Sequence, residues 1–215
     1  MRPAVVAGAV ALCGAAVAGV YKWVDEYGRV QYGDAPPAAS ARVRTGTDAE
    51  SVDLRWYSVT GTDSKSMWQS ISANGPKGDD GKVFAGRTDW NLGYRYQTRI
   101  LDGRCRVTAV TTRLAVVMHM PRWQDQGRAP AELRTRWQRY LAALREHEDG
   151  HRANGVAATA EVQTRVGALP PRPDCGGFDE QARAVANAVV AEYVERDREY
   201  DRRTGHGLMQ GARFP

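Results

Sequence analysis

Lysine is scarce in this chain of 215 residues, since it occurs only at positions 22, 65, 77 and 82. The formal net charge is nevertheless +5, so arginine carries nearly all of the positive charge. No run of five or more like charges occurs, which argues against a basic arm that binds nucleic acid. We therefore expect charges spread over the solvated faces of a folded domain, and no nucleic-acid partner.

Long apolar runs are absent after the first 20 residues. Residues 4–20 form an uninterrupted stretch of apolar and small side chains behind Arg2, which is typical of a secretory signal peptide. Ala16 and Ala18 fit the small-x-small cleavage rule, so residues 1–18 are predicted to be removed. The mature chain is then periplasmic or secreted, with no stable membrane span. An uncleaved signal that anchors the protein is the alternative, although the run is short for a bilayer.

Cysteine is rare as well, with three residues in the chain. Cys13 lies within the predicted signal, and the bulky Leu12 before it leaves a lipoprotein as a minor alternative. The mature chain keeps Cys105 and Cys175, and an isolated pair in an oxidising compartment usually forms a disulfide. Closing a loop of about 70 residues stabilises a fold by up to about 4 kcal/mol in the chain-entropy model.

The segment after the signal, residues 19–37, is predicted to be a small hairpin module. Aromatic and β-branched residues flank a turn at Asp25 and Gly28, and two prolines end the segment. It resembles a small module of unknown function found at the N terminus of many secreted proteins of Gram-negative bacteria. The resemblance is carried by Tyr21, Trp23, Asp25, Gly28, Val30, Tyr32, Asp34, Pro36 and Pro37. Residues 38–50 are small and polar, and they are predicted to be a linker.

Mixed extended and helical patterns predict an α+β domain over residues 51–215. The predicted elements are a strand, a short helix, two strands and two helices, at residues 52–57, 63–73, 89–100, 105–120, 130–166 and 179–203. Asp102 and Gly103 form a hairpin turn signal, and Pro130 is typical of a helix start. We expect an antiparallel sheet of three or four strands.

The first long helix carries the motif HExxH. His147 and His151 are four residues apart, so they project from the same side of a helix and can hold one metal ion. Zinc suits imidazole nitrogen and lowers the pKa of a bound water to roughly 7. Glu148 can take the proton of that water and later deliver it to the leaving amine. The motif also continues the helix's apolar stripe, which comprises Leu133, Trp137, Tyr140, Leu141 and Leu144.

A zinc site needs a third ligand beside the two histidines. The extended pattern HExxHxxGxxH fails here, because Asn154 and Ala157 stand at the glycine and third-histidine positions. We expect His206 to be the ligand, since it lies in a glycine-bounded turn after the second helix. The rival candidates are His119, Asp197, Glu199 and Asp201.

Amide hydrolysis also needs a donor for the developing oxyanion, and the candidate is Tyr200. Asp201 is alternatively a residue that orients a histidine ligand, and either side chain could instead only pack against the helix or cap it. The strand at residues 115–120 could pair with an extended substrate backbone, as sheet edges do, and the alternative is an ordinary core strand.

Residues 51–210 resemble a bacterial family of unknown function that is described as a predicted secreted zinc-dependent protease. The resemblance is carried by WYSVTG at 56–61, GP at 75–76, TDWNLGYRY at 88–96, CRV at 105–107, PRW at 121–123, HEDGH at 147–151, DC at 174–175 and YDRRTGHG at 200–207. It implies a zincin-like fold in which a small antiparallel sheet packs on the HExxH helix and a second C-terminal helix. It also implies metal-site roles for His147, Glu148 and His151, and a functional role for His206.

The sequence therefore predicts a zinc metallopeptidase with Zn2+ as cofactor and a peptide or protein substrate in the cell envelope. Two alternatives remain open. One is a zinc-binding envelope module in which Glu148 has no catalytic role. The other is a structural cell-envelope interaction protein that binds no metal.

Overall fold

The computed structural model describes residues 21–24, 30–33, 44–78 and 80–214. The predicted signal peptide lies outside these ranges, as do the turn and the two prolines of the predicted N-terminal hairpin. Within the described residues, no helix is both long enough and apolar enough to cross a lipid bilayer.

The described chain is an α+β structure, which confirms the predicted class. Its elements are β1 (Tyr21–Val24), β2 (Val30–Gly33), β3 (Arg44–Val59), α1 (Ser64–Asn74), β4 (Arg87–Leu101), β5 (Arg104–Trp123), α2 (Ala131–Gly167) and α3 (Phe178–Thr204). Two short 3-10 turns, Gln126–Arg128 and Leu208–Gln210, precede α2 and follow α3. Strands β1 and β2 pair antiparallel, as expected for the hairpin.

The main sheet has the order β3-β5-β4 and is mixed. Strands β4 and β5 form the predicted hairpin, whose turn residues Asp102 and Gly103 both have positive φ. Strand β3 runs parallel to β5, so the prediction of an all-antiparallel sheet was wrong for this pair. The hydrophobic pattern of a strand does not encode its direction. The direction is set by the connection, which here passes through α1 and β4 before the chain returns beside β3.

Strand β3 begins at Arg44, inside the segment predicted to be a linker. Residues 44–49 are mostly small and polar, so they lack the alternation that marks a half-buried strand. They are extended because their backbone pairs with β5, from Arg44 opposite Ala109 onward. The predicted linker therefore does not extend past residue 43.

Strand β5 is the central strand of the sheet, so residues 115–120 form the core strand that was one of the two alternatives, and they do not pair with a substrate. Ala115 has Ser51 of β3 on one side and Asn91 of β4 on the other. A strand that is paired along both edges has no backbone groups left for an added peptide. The edge strands of this sheet are β3 and β4.

Helix α2 is continuous over 37 residues and begins directly after Pro130, as the sequence predicts. Its buried residues recur at intervals of three and four, and they are Leu133, Trp137, Tyr140, Leu144, His147, Glu148, His151, Gly155, Ala158, Thr159, Val162 and Val166. One face of the helix is therefore covered along its whole length.

The apolar core consists of two clusters that α2 joins. The N-terminal half of α2 packs with β5 and α1, for example through Trp137, Met120 and Met67. Its C-terminal half packs with β4 and α3, for example through Val162 and Phe178. The HExxH motif lies on the stretch between the clusters, so firm packing holds the helix on both sides of its polar residues.

The disulfide between Cys105 and Cys175 is confirmed. It joins the start of β5 to the loop between α2 and α3. Beside it, Cys105 and Arg172 exchange two backbone hydrogen bonds of 2.7 and 2.9 Å. The disulfide therefore fixes the loop that connects α2 to α3.

Loss of this disulfide is expected to destabilise the mature protein. Replacing both cysteines by alanine (Cys105→Ala, Cys175→Ala) should lower the free energy of unfolding by about 2–4 kcal/mol, because the unfolded chain loses its cross-link. Denaturant titration of the oxidised wild type and the double variant measures the difference. A reducing agent should lower the free energy of unfolding of the wild type and leave that of the variant unchanged. Equal midpoints for wild type and variant without reductant would contradict the prediction.

Candidate metal centre

Three side chains from two helices converge at the middle of α2. His147 and His151 lie one turn apart on α2, and Asp201 lies near the end of α3. The Nε2 atoms of His147 and His151 are 3.1 and 3.2 Å from the same Asp201 oxygen, Oδ1. The candidate ligand atoms of the three residues all lie within 4.8 Å of one another. Two imidazoles and one carboxylate thus form a compact donor set.

The second nitrogen of His151 is held by another carboxylate. Its Nδ1 lies 3.0 Å from Asp197 Oδ1. Asp197 also accepts hydrogen bonds from Trp90 Nε1 at 2.7 Å and Asn154 Nδ2 at 2.6 Å. Because an ionised carboxylate only accepts, Nδ1 of His151 carries a hydrogen, and the ring presents Nε2 to Asp201.

The ring of His147 is packed between aromatic neighbours. It stacks on Tyr200 with ring centroids 5.0 Å apart and planes 9° apart, and it meets His151 edge-on. Its Nδ1 lies 3.0 Å from Gln210 Oε1. Since His147 and His151 are both buried, each ring depends on these contacts for its orientation.

Charge within the donor set is concentrated on Asp201 and His151. Burial acts to lower the pKa of His151, but hydrogen bonds to Asp197 and Asp201 raise it to about 10. Burial likewise acts to raise the pKa of Asp201, but the hydrogen bonds from the two histidines hold it well below its usual range. A metal ion that takes both Nε2 atoms has to displace the proton on His151, so rising pH favours metal binding.

His206, the predicted third ligand, lies at the edge of this group. It follows α3 with a positive φ of 52°, and its side chain is 62% exposed. Its Nδ1 is 3.3 Å from Asp201 Oδ1, and its ring lies 5.9 Å from that of Phe84. The structure therefore brings Asp201, and not His206, together with both histidines of α2.

The other rival ligands point elsewhere. Asp197 faces the Nδ1 side of His151, as described above. Glu199 is exposed and forms an ion pair with Arg202, 2.6 Å away. His119 lies on β5, with Arg55 and Arg87 as its neighbours on β3 and β4. Of the four rivals, only Asp201 lies in the group.

Glu148 is buried beside the two histidines and has neighbours of its own. Its Oε2 accepts a hydrogen bond of 2.8 Å from the Thr88 hydroxyl. A Cβ atom at Gly86 would lie 2.5 Å from Glu148 Oε1, so only glycine leaves room for the carboxyl group at that position. Burial raises the pKa of Glu148, while the hydrogen bond from Thr88 opposes the change. A raised carboxyl pKa lies closer to neutral pH, where proton transfer is most effective.

Tyr200 supports His147 rather than facing an open space. A Cβ atom at Gly150 would overlap the Tyr200 hydroxyl, so this hydroxyl lies against the backbone of α2. The hydroxyl also accepts a hydrogen bond of 2.9 Å from Gln210 Nε2. The role of Tyr200 as an oxyanion donor stays a prediction, and its ring stack on His147 is what the structure shows.

The residues at the site to which the sequence analysis assigned no role include Gly86, Thr88 and Gln210. Thr88 lies on the same face of β4 as Trp90, so alternation along the strand was a usable signal for it. Gly86 lies in an irregular segment and Gln210 ends a short 3-10 turn, and in neither place does periodicity predict a contact. Asp197 was recognised only as a possible ligand, whereas its contacts make it the hydrogen-bond partner of a candidate ligand, His151.

Two family profiles together cover most of the chain. The profile of a bacterial protein of unknown function (DUF922) matches residues 54–207. The profile of a domain of unknown function (DUF4124) matches residues 7–54, which include the predicted N-terminal hairpin module. No curated protein and no solved structure matches the chain. Because the first profile spans more than half of the sequence, the chain belongs to the bacterial family of unknown function DUF922.

Proposed function

We propose that this protein is a zinc-dependent metallopeptidase, periplasmic or secreted, that hydrolyses peptide bonds. The observation that carries the proposal is the convergence of two histidine Nε2 atoms on Asp201 Oδ1. The buried carboxyl group of Glu148 lies on the same helix, adjacent to the first of these histidines.

The donor set fits zinc. Zinc binds imidazole nitrogen and carboxylate oxygen, and catalytic sites use three protein ligands so that one position stays open. Here His147, His151 and Asp201 would hold the ion. Their outer contacts also fit, because ligating histidines usually donate their other N–H to a carboxylate or amide oxygen. Asp197 and Gln210 supply such oxygens.

Zinc, when bound, would act as a Lewis acid that lowers the pKa of a water molecule and polarises the scissile carbonyl. Glu148 accepts a proton from the attacking water, whose oxygen forms a bond to the carbonyl carbon. The C–N bond then breaks, and Glu148 delivers the proton to the nitrogen of the leaving amine. The hydrogen bond from Thr88 keeps the carboxyl group in one position during both transfers.

The substrate is proposed to be an extended peptide segment that lies along β4. A peptide can add to a sheet only at an edge strand, and β4 is one of the two edges. Thr88 and Trp90 link β4 to Glu148 and Asp197, so β4 is an edge strand that contacts the site. Backbone pairing selects extended chains with little dependence on sequence, which suits cleavage of unfolded or loop segments.

Replacing Glu148, the proposed proton carrier, distinguishes a peptidase from a protein that binds zinc but is not catalytic. Glu148→Gln keeps the size of the side chain and should retain zinc, but it cannot accept the proton. Cleavage of a peptide library should fall by a factor of about 100–10,000. The matched control is Glu146→Gln, which changes an exposed glutamate on the same helix. Zinc content and cleavage rates are measured on the same mature protein preparations.

Equal cleavage rates for the wild type and Glu148→Gln would contradict the peptidase proposal. Bound zinc with no cleavage by the wild type would favour the zinc-binding module. A wild type that binds no zinc would favour the structural envelope protein.

The third ligand can be tested in the same way. Asp201→Asn should weaken zinc binding by about 100-fold or more, because loss of a direct metal ligand lowers the affinity at least as much as loss of a residue that only hydrogen-bonds to a ligand. His206→Ala should bind zinc like the wild type. Glu199→Gln is the control on α3, since Glu199 is exposed and paired with Arg202. Competition with a chromophoric chelator measures the affinities. An equal loss in His206→Ala would show that the histidine closes the site.

A further inference from the structure

The Nδ1 atom of His147 has two oxygen neighbours, and both are acceptors. Gln210 Oε1 lies 3.0 Å away, and Thr204 Oγ1 lies 3.4 Å away. The Thr204 hydroxyl donates its hydrogen to the backbone oxygen of Tyr200 at 2.7 Å, so its lone pairs face Nδ1. An imidazole nitrogen that faces two acceptors carries a hydrogen, as Nδ1 must when Nε2 binds a metal ion.

The amide group of Gln210 bridges the ring of His147 and the hydroxyl of Tyr200. Its Nε2 donates to the Tyr200 hydroxyl at 2.9 Å. A flipped amide would direct its NH2 group at the Nδ1–H of His147, where two donors would face each other. The Tyr200 ring in turn stacks on His147. Gln210 thus contacts the His147 ring directly, and it also holds Tyr200, whose ring covers that of His147.

The chain after α3 is shaped to bring Gln210 to this position. Gly205, His206 and Gly207 all have positive φ, so the backbone turns back sharply towards α2. A Cβ atom at Gly207 would lie only 3.2 Å from His147 Cβ and Cγ, so glycine permits the close approach. Beyond Gln210, the ring of Phe214 packs against Tyr140, with centroids 5.3 Å apart. The segment is anchored on both sides of Gln210.

We propose that Gln210 is a positioning residue of the metal centre. By accepting the Nδ1–H of His147, it holds the imidazole in the form and orientation that present Nε2 to Asp201. The proposal rests on the metal site proposed above. It concerns a residue beyond the part of the chain that the family profile matches, which ends at residue 207.

Two substitutions at the same position separate this role from simple packing. Gln210→Met keeps the length of the side chain and removes the acceptor. Gln210→Glu keeps an acceptor oxygen and removes the donor to Tyr200. The control is Met209→Ala in the same turn, because the Met209 side chain is exposed and has no part in the hydrogen-bond chain.

Zinc affinity is the first measurement. Gln210→Met should bind zinc about 10–100-fold more weakly than the wild type, as is typical when the outer partner of a ligating histidine is lost. Gln210→Glu and Met209→Ala should bind zinc like the wild type. A loss in Gln210→Glu equal to that in Gln210→Met would overturn the proposal, because the acceptor would then be irrelevant.

The second measurement needs no metal. In protein labelled with 15N-histidine, the Nδ1–H resonance of His147 should be protected from solvent exchange in the wild type and in Gln210→Glu. It should be lost in Gln210→Met. If the wild type binds no zinc, the proposed function fails, and this resonance alone decides the role of Gln210. A protected resonance that persists in Gln210→Met would overturn the proposal whatever the zinc result.

Discussion

The carboxylate of Asp201, placed between two imidazoles of α2, is the contact on which the rest of the site depends. Its Oδ1 atom lies within 3.2 Å of both Nε2 atoms, and it joins the end of α3 to the middle of α2. Two buried histidines and a carboxylate are costly in a core unless each polar atom has a partner. Asp197 and Gln210 supply the partners on the far side of the rings, and the two apolar clusters of α2 hold the helix at both ends of the motif.

The two carboxyl groups nearest the histidines have opposite electrostatic environments. Asp201 is held ionised by its contacts with the rings, while burial raises the pKa of Glu148. Such a pair is suited to divided roles, in which one group binds a cation and the other carries a proton. The division follows from position alone. Asp201 faces both Nε2 atoms, whereas Glu148 points to Thr88 and the backbone of Gly86. The proposed peptidase chemistry uses this division.

Local patterns predicted most of the elements and part of the site. The stripe on α2, the short helix α1 and the β4–β5 hairpin follow from periodicity and turn residues, which act over a few positions. The disulfide followed from cysteine number and the predicted oxidising compartment. The direction of β3 was predicted wrongly, and the start of β3 was missed because residues 44–49 lack a pattern. The sequence left open whether residues 115–120 are a core strand or pair with a substrate, because strand order within a sheet is a property of the whole chain and not of one strand.

The sequence alone determined that two histidines and a glutamate share one buried helical stripe, because an α-helix places residues three or four apart on one side. Only the tertiary structure decided which residue from outside that helix meets them. His206 and Asp201 are five residues apart, and both lie near the end of α3. The choice between them depends on the crossing of α2 and α3 and on the positive-φ turn after Thr204, which directs His206 outward and Gln210 inward. These are long-range packing constraints, and no spacing within the sequence records them.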